Sequence, residues 1–243
     1  LRDVYKRQIL FLALGWVLIS LPLSAQTGPE ALMQTMKPRS VGPAGMSGRV
    51  TAIDVVRSQP NTIIIGTASG GAWRSDDGGI SWKPIFDEQP VASIGAIAIQ
   101  QNNPAVIWAG TGEGNPRNSH NSGDGIYKSI DGGRSWTKMG LENTRTIHRI
   151  LIHRDNPDIV YVAAHGSAWG PSEERGVYKT INGGKTWERI LFTNNTSGCA
   201  ELVADPSNPD KYFAAMWDYQ RKPWTFRSGG PGSGLYVTLD GGK

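Results

Sequence analysis

One short pattern recurs along the chain at nearly even intervals: SDDGGISW from Ser75 to Trp82, SIDGGRSW from Ser129 to Trp136, TINGGKTW from Thr180 to Trp187, and TLDGGK from Thr238 to Lys243. Its third position is Asp77, Asp131, Asn182 and Asp240, at spacings of 54, 51 and 58 residues. A self-similar period of about 50 residues confines a chain to stacked or radial repeat architectures, because each repeat buries its apolar face only against its neighbours.

Within a period the same order of signals returns. In the second, ASIGAIAI (92–99) alternates as a strand, NNP (102–104) turns, and VIWAGT (106–111) reads as a second strand. After a loop, GIYKS (125–129) is a third strand, the pattern itself a hairpin, and SWTKM (135–139) a fourth. Four antiparallel strands per period is the unit of a propeller blade. The fold class expected is all-β, a β-propeller of four-stranded antiparallel blades, as an incomplete arc of about four. Blades are placed at about 45–90, 91–140, 145–192 and 198–243, the last without its fourth strand. Glycine (31) and proline (15) fit a chain built from many turns.

The recurring pattern has a structural task. A tight hairpin needs backbone at positive φ, which glycine supplies without steric cost. The Asp or Asn accepts hydrogen bonds from N–H groups inside the turn, and the flanking hydroxyls do the same. Trp82, Trp136 and Trp187 offer large apolar plates to bury beside the hairpin.

The pattern resembles the Asp-box or BNR repeat of sialidase-like propellers, with an extra glycine, and Asn182 departs from the acidic consensus. The resemblance implies that the boxes lie away from any active site and that Asp77, Asp131, Asn182 and Asp240 are structural. VGPAGMSGRVTAIDVV (41–56) followed by IIIGTASGGAWRSDDGG (63–79) also resembles the opening blade of bacterial exported proteins classed with the sortilin N-terminal domain, often labelled glycosyl hydrolases. GTGEGNPRNS (110–119), WGPSEERGVYKT (169–180) and PWTFRSGGPGSGLY (223–236) strengthen that resemblance. More distantly the first blade is similar to that of family 74 xyloglucanases. Their catalytic aspartate sits in a phrase matched here by TASGGAWRS (67–75), where Ala68 occupies the acidic position, and a methyl group transfers no proton.

The front of the chain reads as a targeting segment. An apolar run at 9–23 follows Lys6 and Arg7 and precedes Ser24–Ala25–Gln26, the layout of a signal peptide cleaved after Ala25; an uncleaved N-terminal anchor is the alternative. DVYKRQ (3–8) resembles the translation of a transposon end, which would make residues 1–8 foreign to the protein. Residues 26–44 form a lead-in. The expected location is periplasmic, cell-surface or secreted. The formal net charge of +4 contains no basic run that could track a phosphate backbone, so no nucleic-acid partner is expected. The single cysteine, Cys199, excludes an intrachain disulfide and cysteine-pair zinc sites.

In a blade meander the loop between strands two and three lies opposite the box hairpin. These loops are long in blades two to four and hold the candidate ligand-binding residues: Glu113, Asn115 and Arg117; Trp169, Glu173 and Glu174; Arg221 and Trp224. Aromatic plates beside carboxylates and arginines suit a carbohydrate or a peptide or protein ligand. His120, Asp124, Arg175 and Arg227 share the loops, and the alternative is that these charged, Gly-rich loops are simply solvated or that Arg117 and Arg175 pair with neighbouring carboxylates to order them. His148 and His153 lie in the strand TIHRILIH with no metal-binding partner. No catalytic residue is assigned, and no metal or cofactor is expected. The function expected is an exported binding or interaction module with its pocket rimmed by these loops. The alternative is a glycosyl hydrolase drawing its carboxylates from Glu113, Glu173, Glu174 and from later blades of the same gene, which the sequence leads one to expect beyond this chain.

Overall fold

The computed structural model describes residues 49–243. The expected signal segment, the lead-in and the first residues of blade one (45–48) lie outside the described residues. Sixteen strands form four separate antiparallel sheets of four. The first joins β1 (Val50–Val55), β2 (Ile63–Thr67), β3 (Ala72–Ser75) and β4 (Lys83–Pro84) in that order; the second joins β5 (Ile94–Ile99), β6 (Ile107–Thr111), β7 (Ile126–Ser129) and β8 (Thr137–Lys138). The third joins β9 (Ile147–Ile152), β10 (Val160–Ala164), β11 (Gly176–Thr180) and β12 (Glu188–Leu191). These are propeller blades, all-β as expected, with the outer strands β4 and β8 only two residues long.

The strands of the middle blades are Ile-, Val- and Ala-rich because both faces of their sheets are covered by neighbouring blades. Every residue of β5, β6 and β10 is buried. The core is accordingly a series of layers between blades rather than one centre. Ile64, Phe86, Ile94, Ile107 and Tyr127 fill the layer between the first and second blades. Trp108, Ile126, Ile147, Val160 and Tyr178 fill the next, and Tyr161, Val177, Leu202, Tyr212 and Met216 the third. Each fully buried aliphatic or aromatic side chain contributes about 1.5–3 kcal/mol relative to an exposed one. Close approach demands small residues: a Cβ on Gly110 would lie 2.3 Å from Cγ2 of Ile147.

Blade four departs from the expected plan. It contains β13 (Ser197–Ala204), β14 (Tyr212–Lys222), β15 (Thr225–Ser228) and β16 (Gly234–Thr238). β14 is eleven residues long, and its first half is the blade strand, flanked by β13 and β16. Its second half turns at Pro223–Trp224 and pairs with β15, Lys222 opposite Thr225 and Tyr219 opposite Ser228. What reads as a long loop at 218–233 is therefore largely a hairpin extending from the blade. Among the described residues no strand pairing joins β1 to β13 or β16.

Candidate functional site at the loop face

The ladders put the box hairpins at one end of the blades and the loops after β2, β6, β10 and β14 at the other. At the box end the chemistry is turn-locking. Asp131 Oδ1 accepts from Ser129 Oγ (2.8 Å) and from Ser135 N (2.9 Å), while its Oδ2 accepts from Ser135 Oγ (2.5 Å). Asp77 makes the same set with Ser75 and Ser81. In the third box Asn182 Oδ1 accepts from Thr180 Oγ1 and Thr186 N, and its amide donates to Thr186 Oγ1 (2.7 Å), so the amide replaces the acid without losing the turn. In the fourth, Asp240 Oδ1 accepts from Thr238 Oγ1. The donated hydroxyl bonds, first that of Ser81 or Ser135, pull Asp77 and Asp131 down to about 2. The paired glycines all stand at positive φ, for example Gly132 at 75° and Gly133 at 91°.

The tryptophans do something the sequence does not disclose. Trp82 Nε1 bonds back to its own hairpin at Gly79 O (3.0 Å). Trp136 and Trp187 reach instead to the preceding blade, donating to Ile85 O and to Met139 O (2.7 Å). Each is thus a staple between neighbouring sheets, with an apolar body and a hydrogen-bonded tip.

At the loop end, Glu113 is fully buried and its carboxylate receives both Nε (2.9 Å) and Nη2 (2.7 Å) of Arg49. This fork joins the start of blade one to the loop of blade two and occupies both oxygens, so Glu113 presents no free carboxylate. Ala68 is also buried, and its N–H donates to Arg49 O. Asn115 and Arg117 are exposed on the same blade-two loop. Glu173 Oε1 accepts from Asn195 Nδ2 (2.9 Å) and Glu174 Oε2 from Tyr178 OH (3.2 Å). Arg175 is buried and binds three carbonyls, those of His165, Ser167 and Gly170, rather than the carboxylate the sequence suggests as its partner. Its guanidinium also lies over the ring of Tyr219.

The blade-four hairpin draws three loops together. Arg221 Nε donates to Asn118 Oδ1 on the blade-two loop (2.9 Å), and Gln220 Nε2 donates to Trp169 O on the blade-three loop (2.9 Å). Trp169 meets His120 edge-on. Trp224 stands at the hairpin tip, 79% exposed. Trp169, Arg221 and the neighbours of Arg117 thus share one surface, whereas Glu113 is withdrawn from it.

Beneath this surface lies an imidazole cluster. His148 and His165 are 5.7 Å apart between ring centroids, and His165 stacks on Tyr219, which stacks on Trp217. Burial holds His165 well below the usual histidine range, and His148, Arg175 and His120 add to the effect. Burial lowers His120 and His148 as well. Among the described residues no group of three His, Cys, Asp or Glu side chains is arranged to hold a metal ion. His153 caps the β9–β10 turn by accepting from Asp155 N and Asn156 N.

Sequence reasoning missed Arg49, Asn118, Trp217, Tyr219 and Gln220. Only the last three carried a signal: WDYQRK alternates as a strand, with Trp217 and Tyr219 on the face of the candidate Arg221 and Gln220 on the other.

The BNR/Asp-box repeat model matches residues 73–84. Over 197 residues the chain is 29% identical to the oligoxyloglucan-reducing end-specific xyloglucanase of Emericella nidulans, covering 76% of this chain and 22% of that protein. It is 28% identical over 137 residues to the photosystem II assembly lipoprotein Ycf48 of Trichormus variabilis, covering 49% of this chain and 40% of that one. In three dimensions it resembles the GH74 enzyme of Niastella koreensis, with a TM-score of 0.58 and 22% identity over 79% of this chain and 28% of the other. The chain therefore spans about a fifth of the length of the xyloglucanase, and the structural likeness establishes the propeller fold.

Proposed function

We propose that this chain is part of an exported β-propeller that binds carbohydrate on the loop face of blades two to four. The observation that carries the reading is the joining of those three loops by Arg221, Asn118, Gln220 and Trp169, with Trp169 exposed on the joined surface and Trp224 exposed at the tip of the hairpin. Aromatic plates on a fixed scaffold suit the C–H faces of sugar rings, and similarity to a xyloglucanase supports that ligand class. Two features favour binding without hydrolysis: Glu113 is locked by Arg49, and Ala68 stands at the position that resembles the xyloglucanase aspartate. Glycoside hydrolysis ordinarily needs two carboxyl groups at a controlled separation.

The similarity to xyloglucanases supports a second reading, in which Glu173 or Glu174 works with catalytic carboxylates supplied by later blades of the same polypeptide. The resemblance of GTGEGNPRNS, WGPSEERGVYKT and PWTFRSGGPGSGLY to exported proteins of the sortilin N-terminal class supports export and a multi-blade parent. A glycan-binding screen run beside hydrolysis assays separates the two. Binding without turnover, weakened by Trp224→Ala, is the expected result; turnover abolished by Glu173→Gln or Glu174→Gln, with the fold intact, would overturn it.

A further inference from the structure

The loop face carries charges of both signs, and on the blade-four hairpin the unpaired ones are cations. Of the acids on this face, Glu113 is paired with Arg49, Asp124 with Lys138 and Asp218 with Arg227. Glu142, Glu173 and Glu174 remain, with Asp87 and Glu88 at the edge of blade one; Glu173 and Glu174 are each bonded to a neutral side chain. Against them stand Arg117, Arg145, Arg221 and Lys222, none of which forms an ion pair among the described residues. Arg117, Arg145 and Lys222 are exposed, and Arg221 is half-buried with only the neutral Asn118 amide oxygen as side-chain partner. Gly123 N bonds to Arg145 O, which holds Arg145 beside the blade-two loop that carries Arg117.

Two of these cations stand next to exposed aromatic rings. On the hairpin, Arg221 Cζ is 5.5 Å from the centroid of Phe226 and Lys222 Nζ is 6.0 Å from that of Trp224. A neutral sugar would use the rings and leave the cations idle. A uronic acid residue offers both complements in one unit, a C–H-rich ring face for the aromatic plate and a carboxylate at its edge for the neighbouring cation. A chain of such units repeats the carboxylate, and Arg117 on the blade-two loop offers a further exposed cation.

We propose that the ligand of this face is an anionic polysaccharide of linked uronic acids, with Trp224 and Phe226 as ring platforms and Lys222, Arg221 and Arg117 as carboxylate partners. The inference rests on the carbohydrate reading above and narrows it.

The test is calorimetric titration of the protein with oligogalacturonate and with the same oligomer fully methyl-esterified, at low and high salt. Two or three exposed charge pairs predict about tenfold tighter binding of the acid form at low salt, an advantage that high salt removes. The double variant Arg117→Glu, Lys222→Glu should lose the preference and still bind the ester, while Trp224→Ala weakens both; circular dichroism verifies folding, and all three side chains are exposed. Equal affinity for acid and ester would overturn the inference and leave the carbohydrate reading standing. Tighter binding to polyglutamate than to oligogalacturonate would overturn it in favour of an acidic peptide. Failure to bind either these oligomers or any glycan in the screen would overturn both readings.

Discussion

Asp131 holds its turn with hydrogen bonds from hydroxyl and backbone donors that favour its ionised form. Its folded pKa is depressed, so its stabilising effect is present above the unfolded value near 3.9 and is lost as pH falls from about 4 towards about 2. Asp131→Ala should lower the melting temperature at pH 7 and flatten the acid limb of a melting-temperature-against-pH curve, with ligand affinity unchanged in titrations of the folded variant. Asp131→Asn should retain more of the stability, because Asn182 already makes the turn in the third box. Gly184 illustrates the other requirement of the box. It stands at φ +93°, and a Cβ there would lie 2.6 Å from Cη2 of Trp108. Gly184→Ala should therefore cost about 1–3 kcal/mol in denaturant unfolding, from backbone strain and overpacking together. Glu113 is the residue whose role the sequence misreads most: a glutamate in a Gly-rich loop looks available, and its burial depends on Arg49, 64 positions away. Glu113→Ala should destabilise by about 1–3 kcal/mol by leaving Arg49 unpaired, and binding by the folded remainder should persist.

At the scale of elements, the β14–β15 hairpin and the imidazole cluster beneath it set the loop face. Arg221→Ala removes the tie to Asn118 without touching the blade layers, so hydrogen exchange should quicken in the blade-two loop while global unfolding stays put. The cluster makes the same region acid-sensitive. His120, His148 and His165 all have folded pKa values below that of a free imidazole, so the unfolded chain takes up protons first. Stability is full above about pH 6.5 and declines as pH falls below it. The charges facing the cluster offer little relief, since Arg175 is itself cationic and Glu113, Asp218 and Glu201 are engaged by Arg49, Arg227 and Arg149. Thermal melts between neutral pH and pH 5 should show the decline, and His165→Gln should reduce its slope. A slope identical in the variant would contradict this account. The hairpin was half legible in the sequence: WDYQRK has strand alternation, yet the Gly- and Pro-rich run that follows it reads as loop, and only the pairing of Tyr219 with Ser228 makes it a ladder.

Over the whole molecule, equivalent positions differ sharply in exposure from blade to blade. Ile126 and Val177 are 0% and 2% exposed because the next blade covers them, whereas Leu235, at the same place in β16, is 73% exposed with Val237 and Val203 beside it. That face should make the isolated chain associate with itself at high concentration, and Leu235→Glu with Val237→Glu should shift sedimentation towards monomer. The blade plan itself is legible in the sequence. Period, strand alternation and turn chemistry are local properties, and the four copies of one hairpin repeat them until only a propeller fits. The same locality let the box aspartates be set apart from the loop candidates. What tertiary structure alone decided are the pairings between positions far apart in the chain: Arg49 with Glu113, Arg221 with Asn118, Trp136 with Ile85 and Trp187 with Met139. No pattern within a single repeat encodes these, because each depends on the angle and distance between neighbouring sheets, and that geometry arises only when the interblade layers pack.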